Sequence, residues 1–468
     1  METNIDRATL EALRAGLRGT AYSPGDEGYD EGRRGFNLNA HQHPALVVMV
    51  EGAFDVVSAV RLARQQGVGL GVIATGHGVA SPCDGGILIN TSRMRGVRVD
   101  PESQSARVEP GALWSDVIPK AQEHGLVGLS GSSSGVGVVG FTLGGGYGWL
   151  GRKYGFAAES VREAEVVTAS GERVKASANE NADLFWGLKG GGGNFGIVTS
   201  LEFSLYPLST VYGGGIYYPV EKAPEVLDLY ARWVSELPDE MTTSITFLNF
   251  PPLPALPEAL RGNSVISVRA CYCGDPPEVG EKLIRPVREE LGEPVMDGFR
   301  TMPCGEMDSI SMDPTDPVGA YGHVELLGDL SPDTIATLVE VAGANSNTPL
   351  TSLELRELGG ALALTSSDLS PLGHAGSKFI MNGIGMTPTP EAAKKVQSYL
   401  AYVAESARAH ETGATYVNFL ELDGATPERV KAAYSTEDWK RLVSLKDRYD
   451  PHNTFRFNRN IPPSSEVR

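Results

Sequence analysis

The chain has 468 residues and a formal net charge of −18, more than a single hydrophobic core commonly supports, so two or three domains are expected. So acidic a surface excludes nucleic acid as a partner, because phosphate backbones select basic faces. Four cysteines, of which only Cys271 and Cys273 are near neighbours, offer no zinc-type ligand set and suit a reducing cytoplasm. The opening "METNIDRATLEALRAGL" lacks the apolar stretch of a secretory signal, and no apolar run is long enough to span a membrane. The expectation is a cytoplasmic protein, monomer or homodimer, with no metal.

A short amphipathic helix near the start is followed by "PALVVMV", "AFDVVSAVRLARQQG" and "LGVIAT". These read as strand, helix and strand over residues 44–76, an α/β unit. "GGILINTSRM" and "GVRVDPESQSARVEPGA" give short strands, and "WSDVIPKAQEHG" a helix stopped by glycine. "VREAEVVTASGERVKAS" is a hairpin turning at Ser170-Gly171. After Pro207 the glycine clusters stop. "TTSITFLNF", "SVISVRACYCG", "AYGHVELL", "TSLELREL" and "SKFIMNGIGM" read as strands with one polar face, and four helical stretches alternate with them. The fold class expected is α+β: an N-terminal part of two subdomains over 1–207, an antiparallel sheet backed by helices over 208–414, and a C-terminal segment over 415–468. "YVNFLELDG" at the head of that segment reads as a strand, followed by two helices.

Glycine is clustered in three places: Thr75-Gly76-His77-Gly78, residues 131–148, and residues 190–196. Clustered glycine brings backbone against a ligand or against other backbone. Residues 191–196 match G-x-G-x-x-G, but a helix precedes and a strand follows, the reverse of a dinucleotide fingerprint. Three separate loops converging on one extended ligand, and tight turns in a β-rich domain, are the readings left open.

"ATGHG", "VGVVGFTLGGGYGWLGRKYG", "ADLFWGLKGGGGNFGIVTSLEFSLYPL" and "YVNFLE…RLVSLKDRYDPHNTFRFNRNIPP" together resemble the berberine-bridge-enzyme-like flavoproteins of the vanillyl-alcohol-oxidase fold, over nearly the whole chain. The resemblance implies FAD held by the N-terminal part and the tail, with the middle sheet laid over the isoalloxazine ring. It implies cofactor contacts from Ile73, Ala74, Thr75, Gly76, His77, Gly78 and Val79. A second set is Gly131, Ser132, Ser133, Gly135, Val136, Gly137, Gly140, Thr142, Leu143 and Gly145. A third is Asn194, Gly196, Ile197 and Val198, with Tyr416, Asn418, Asn458 and Asn460 from the tail. His77 matches the histidine that the family joins to the flavin 8α-methyl carbon. Such a link fixes the ring and raises its potential. The other histidines (His41, His43, His124, His323, His374, His410, His452) lack that context and read as surface or satisfied core.

Two departures stand out. Many relatives carry a second link from a cysteine, and Ser133 occupies that place here; a hydroxyl is a far poorer nucleophile than a thiolate, so a single link is expected. The family often has Arg-x-Gly-Gly-His where this chain has Ile73-Ala74-Thr75-Gly76-His77. For catalysis, Tyr416 is the first candidate for the base: it matches the tyrosine that the family places beside the flavin, and since tyrosine titrates near pH 10 it would need a partner there; the alternative is an aromatic ring packed against FAD. Glu354 and Arg356 share one face of a strand and are either catalytic or a solvated ion pair. Asn382 either lines the pocket or satisfies a bulge beside Gly383, and Tyr147 and Trp149 either wall the substrate or pack in the core. The expected activity is an oxidase in secondary metabolism, taking hydride from a small or medium alcohol or amine and passing electrons to O2. The alternatives are a dehydrogenase that excludes O2 and a flavin-oxygenating enzyme.

Overall fold

The computed structural model describes residues 5–254, 256–364, 366–373 and 376–466. The α/β unit forms as its sequence implies: strand Leu46–Met49, helix Ala53–Gln66, strand Leu70–Ile73. Both strands run parallel to Ile87–Asn90, which lies between them, and Thr20–Tyr22 adds an antiparallel edge. The fully apolar strand Leu46–Met49 is buried throughout, as a parallel strand covered on both faces must be. A second, five-stranded antiparallel sheet carries the hairpin Val161–Val167 and Arg173–Ser177 beside Ile197–Ser204, Ser105–Val108 and Val97–Asp100.

An eight-stranded antiparallel sheet occupies residues 210–386. Alternation along its strands separates two faces. Ile216, Val268, Ile245, Leu355 and Met381 point to one side and pack against helices Ala223–Trp233, Pro332–Ala342 and Pro390–Ala407. Each fully enclosed side chain of this kind contributes about 1.5–3 kcal/mol. The opposite face is polar. Strand register puts Tyr217, Ser267, Thr246, Glu354 and Asn382 in one row, and Gly215, Arg269, Ser244, Arg356 and Ile380 in the next. Pairing on both sides of Asn382 is regular, without a bulge. The α+β architecture with a helix-backed antiparallel sheet is therefore as expected.

The head of the C-terminal segment is not a strand. Val417–Phe419 and Leu422–Gly424 are short 3-10 turns. The reason is local: Phe419 N–H and Leu420 N–H donate back to Tyr416 and Val417 carbonyls, the Asn418 amide donates to Phe141 O, and Leu422 N–H donates to Val79 O. With its backbone groups turned to these partners, the segment has no ladder to join. Helices Pro427–Ala432 and Thr436–Tyr449 follow, and the tail returns to the first sheet, where Leu70 N–H donates to Thr454 O at 2.7 Å.

Candidate functional site

The three glycine clusters and the tail converge. Loop 73–79 leaves the strand end at Ile73 and turns at Gly76, whose φ of +69° favours glycine; a Cβ there would lie 2.5 Å from Gly35 Cα. The loop is held on one side by Phe36 N–H and Asn37 N–H, which donate to Thr75 O and Gly76 O. On the other side stand Arg459, Glu421 and Asn418, all within reach of Gly78. A Cβ on Gly137 would make only ordinary contacts with Ala74 and Thr75, so the first and second loops face each other. Helix Val138–Leu143 starts there and buries Leu143 and Thr142.

The third cluster pins the tail rather than opening a helix. Asn194 donates to Gly191 O and Arg459 O and accepts from Ile461 N–H at 2.9 Å. Gly196 packs tightly on Val166, and Ile197 and Val198 are core residues of the second sheet. These residues place Arg459 and its neighbours beside loop 73–79.

His77 lies at the centre of this arrangement. Its ring stacks on Phe36 with centroids 3.9 Å apart and planes at 13°, and its Nδ1 is 2.9 Å from Thr75 Oγ1. Burial pushes its pKa down to about 4, so the imidazole is neutral at physiological pH. Of the other described histidines, His323 pairs with Glu325, and His410 with Thr334 and Thr337; His374 lies outside the described residues.

Tyr416 is 4% exposed, and its hydroxyl accepts the Tyr147 backbone N–H at 3.0 Å. Gly145, at φ +113°, lets the backbone pass within reach of that hydroxyl. Burial raises the Tyr416 pKa to about 12, against smaller opposing effects from Asn418, the Tyr147 N–H and Arg356. The phenol therefore keeps its proton at neutral pH.

Glu354 is buried and Arg356 nearly enclosed, so the pair is not solvated: Arg356 Nε donates to Glu354 Oε2 at 2.8 Å within their strand. The guanidinium lies over the rings of Tyr147 and Phe419, 5.4 and 5.3 Å from their centroids. Burial would raise the Glu354 carboxyl, but Arg356 and Arg269 outweigh it and hold it below the usual range. Asp313 was not visible in the sequence as a site residue. Its carboxylate accepts from Ser132 Oγ at 2.6 Å, and burial raises its pKa against the pull of Ser132, Arg269 and Arg356. Asp308 similarly accepts from the Ser134 backbone and hydroxyl. Two aspartates from one segment thus hold the serine loop that carries Ser133. Arg152, also missed, pairs with Glu357 and donates to Leu237 O. These acidic and basic groups are spread over remote stretches, and no spacing in the sequence joins them. Trp149 packs instead among Val127, Leu129, Val211 and Met302, in a different core cluster from Tyr147 and Tyr416.

Whether this place suits a polar cofactor is testable on its own atoms. Thr142 Oγ1, Asn458 Oδ1, Asn460 Oδ1 and Arg459 Nε are buried without a protein hydrogen-bond partner. Such groups are costly unless a ligand or water meets them. They lie on the second glycine cluster and on the tail, as an extended ligand with many acceptors and donors requires. Across from them, Ser267 Oγ, Ser311 Oγ and Arg269 Nε are also unpartnered. The residues fit FAD.

Comparison with known proteins agrees. Residues 44–177 match the FAD binding domain family, and residues 415–462 match the berberine and berberine-like family. An FAD-linked oxidoreductase of Dictyostelium discoideum is 28% identical over 454 residues, covering 96% of this chain and 95% of its own. The (R)-6-hydroxynicotine oxidase of Paenarthrobacter nicotinovorans is 28% identical over 464 residues, covering 96% and 97%. Two solved structures share the fold. One is 6-hydroxy-D-nicotine oxidase from Arthrobacter nicotinovorans, with a TM-score of 0.84, 24% identity and coverage of 96% and 98%. The other is berberine bridge enzyme from Eschscholzia californica, with a TM-score of 0.81, 20% identity and coverage of 99% and 100%. Fold and site together define an FAD-dependent oxidoreductase. The chain belongs to the berberine-bridge-enzyme-like FAD-linked oxidoreductases.

Proposed function

We propose that this protein is an oxidase that carries one FAD, bound covalently through His77, and oxidises a small or medium alcohol or amine with O2 as electron acceptor, giving H2O2. The observation that carries the reading is the meeting of two surfaces. The glycine loops with their unpartnered polar atoms face the polar rows of the eight-stranded sheet, with Tyr416, Tyr147 and Arg356 between them. The FAD part is assigned to residues 1–207 with the returning segment 415–468, and the substrate part to 208–414.

FAD supplies the hydride acceptor. Loops 73–79 and 131–145, with Asn418, Asn458 and Asn460, hold it, and Asn194, Gly196, Ile197 and Val198 fix the frame behind them. Ser133 leaves His77 as the only attachment. Tyr416, protonated at neutral pH, donates a hydrogen bond. The carboxylates of Glu354 and Asp313 are the groups able to take the proton of a substrate O–H or N–H. Arg356, clamped by two rings, stabilises negative charge that develops beside it. Tyr147 and Asn382 wall the substrate.

The test is to denature the purified enzyme in acid and follow the yellow colour. Flavin is expected to stay with the wild-type polypeptide and to leave His77→Ala. Retention in the variant would mean a second attachment. An H2O2-coupled screen of alcohols and amines then addresses turnover, and a reduced flavin that stays bleached for minutes in air would rule out an oxidase.

A further inference from the structure

We propose that the substrate carries a carboxylate and that Arg269, on the polar face of the eight-stranded sheet, binds it. The proposal rests on the oxidase reading above and narrows its substrate to alcohols or amines that also bear an acid group.

The polar face brings two guanidiniums and two carboxylates together, and they are unequally paired. In the cross-strand row, Ser244 alone separates Arg269 from Arg356. Arg356 has its counter-ion, Glu354, at 2.8 Å and lies over two rings. Arg269 is 4% exposed. Yet the nearest carboxylate oxygen among the described residues, Glu354 Oε1, is 4.0 Å from its Nη1, too far for a hydrogen bond. Its direct contacts are neutral: Nη2 donates to Ser311 O at 2.9 Å, and Nη1 reaches Thr246 Oγ1 at 3.5 Å. Its Nε has no partner. Asp313, the other acid nearby, spends Oδ2 on Ser132, and burial biases it toward the neutral form.

A guanidinium taken out of water is costly unless charge and hydrogen bonds compensate it. Here the Ser311 carbonyl fixes the group on one side and Nε is left for an acceptor. Two hydroxyls nearby are also buried and unpartnered: Ser267 Oγ, two residues along the same strand face, and Ser311 Oγ. A carboxylate answers the whole set. It only accepts hydrogen bonds, its two oxygens match the fork of a guanidinium, and it brings the missing negative charge. An alcohol or amide at this place would meet the hydroxyls but leave the cation uncompensated, and an ammonium would be repelled by it. With its acid group on Arg269, the substrate extends along the row past Ser244 toward Arg356, which lies against Tyr147 and Phe419.

The experiment titrates the flavin-bearing enzyme with small acids and their uncharged amides, benzoate against benzamide and phenylacetate against phenylacetamide, and follows the flavin absorption bands. Wild type is expected to bind each acid about tenfold more tightly than its amide, the lower end of what a hydrogen bond to a charged group contributes. Arg269→Gln should lose that preference, and Arg269→Lys, which keeps the charge without the fork, should retain part of it. Should Arg269→Gln fail to fold, turnover of wild type decides: 4-(hydroxymethyl)benzoate should give H2O2 with a higher kcat/KM than 4-(hydroxymethyl)benzamide. Equal binding of acid and amide by wild type, binding of neither, turnover favouring the amide, or an undiminished preference in Arg269→Gln would each overturn the proposal. H2O2 formed from a neutral alcohol or amine in such a case would leave the oxidase reading standing. A purified protein without flavin would remove that reading and this proposal with it.

Discussion

Glu421 marks what burial does to one side chain. It faces loop 73–79 near Gly78, with Asn37 Nδ2 at 3.4 Å from its carboxylate. Burial raises its pKa from 4.5 to about 7, and the attraction of Arg459 only partly offsets this. The folded state therefore holds this proton more tightly than the unfolded chain. The stability it confers is fully present below pH 4.5 and is lost as pH rises through about 7, a change of ~3 kcal/mol. Wild type should thus lose more stability between pH 5 and pH 8 than Glu421→Gln, measured by thermal unfolding at both pH values. An equal loss in the two proteins would contradict the assignment. His77 shifts the opposite way, since its burial disfavours the cation and nothing nearby compensates. Neither shift is legible in the sequence, where both residues read only by their neighbours in the chain.

At the scale of the element, strand Ser352–Glu357 carries the densest charge on the polar sheet face. Glu354 and Arg356 are nearly enclosed, with Arg269 Nη1 4.0 Å from Glu354. Removing one partner leaves a buried charge uncompensated, at a cost of about 3–5 kcal/mol. Arg356→Met and Glu354→Gln should each destabilise the protein in urea unfolding, with Arg356→Met the worse because Glu354 then keeps only Arg269. The double variant should be more stable than Arg356→Met alone. Additive losses would mean that the two side chains act independently. Turnover should fall in both single variants if these groups serve the reaction. Strand alternation alone put the pair on one face. What the sequence could not supply was the neighbour across the ladder, and so the choice between a solvated and a buried pair.

For the whole molecule, the tail closes the structure. Asn194 ties Gly191, Arg459 and Ile461 together, and Lys446, fully buried, bonds Asp450, Asn194 O and Phe455 O. Asn194→Ala removes three bonds, each worth about 1 kcal/mol, and leaves Ile461 N–H buried without its partner. It should speed cleavage of the tail in limited proteolysis and weaken flavin retention together. Loss of flavin with an intact, protected tail would separate the two roles. A second set of ties joins the serine loop to the segment before strand Ala320–Leu327 through Asp308 and Asp313.

The sequence by itself determined the α/β unit, the hairpin, the helix-backed antiparallel sheet and the glycine loops, because each rests on local periodicity or on backbone demands that a short stretch satisfies alone. It also held the motifs that point to FAD, with His77 and Tyr416 among them. Only the tertiary structure decided that the stretch after Tyr416 turns instead of extending, since its backbone partners, Phe141 and Val79, are remote in the chain. It likewise brought Asp313 and Arg269 to the site, paired Arg152 with Glu357, and sent Trp149 into a separate core cluster. Charge pairing and burial depend on distances between segments hundreds of residues apart, and no pattern along one segment encodes them.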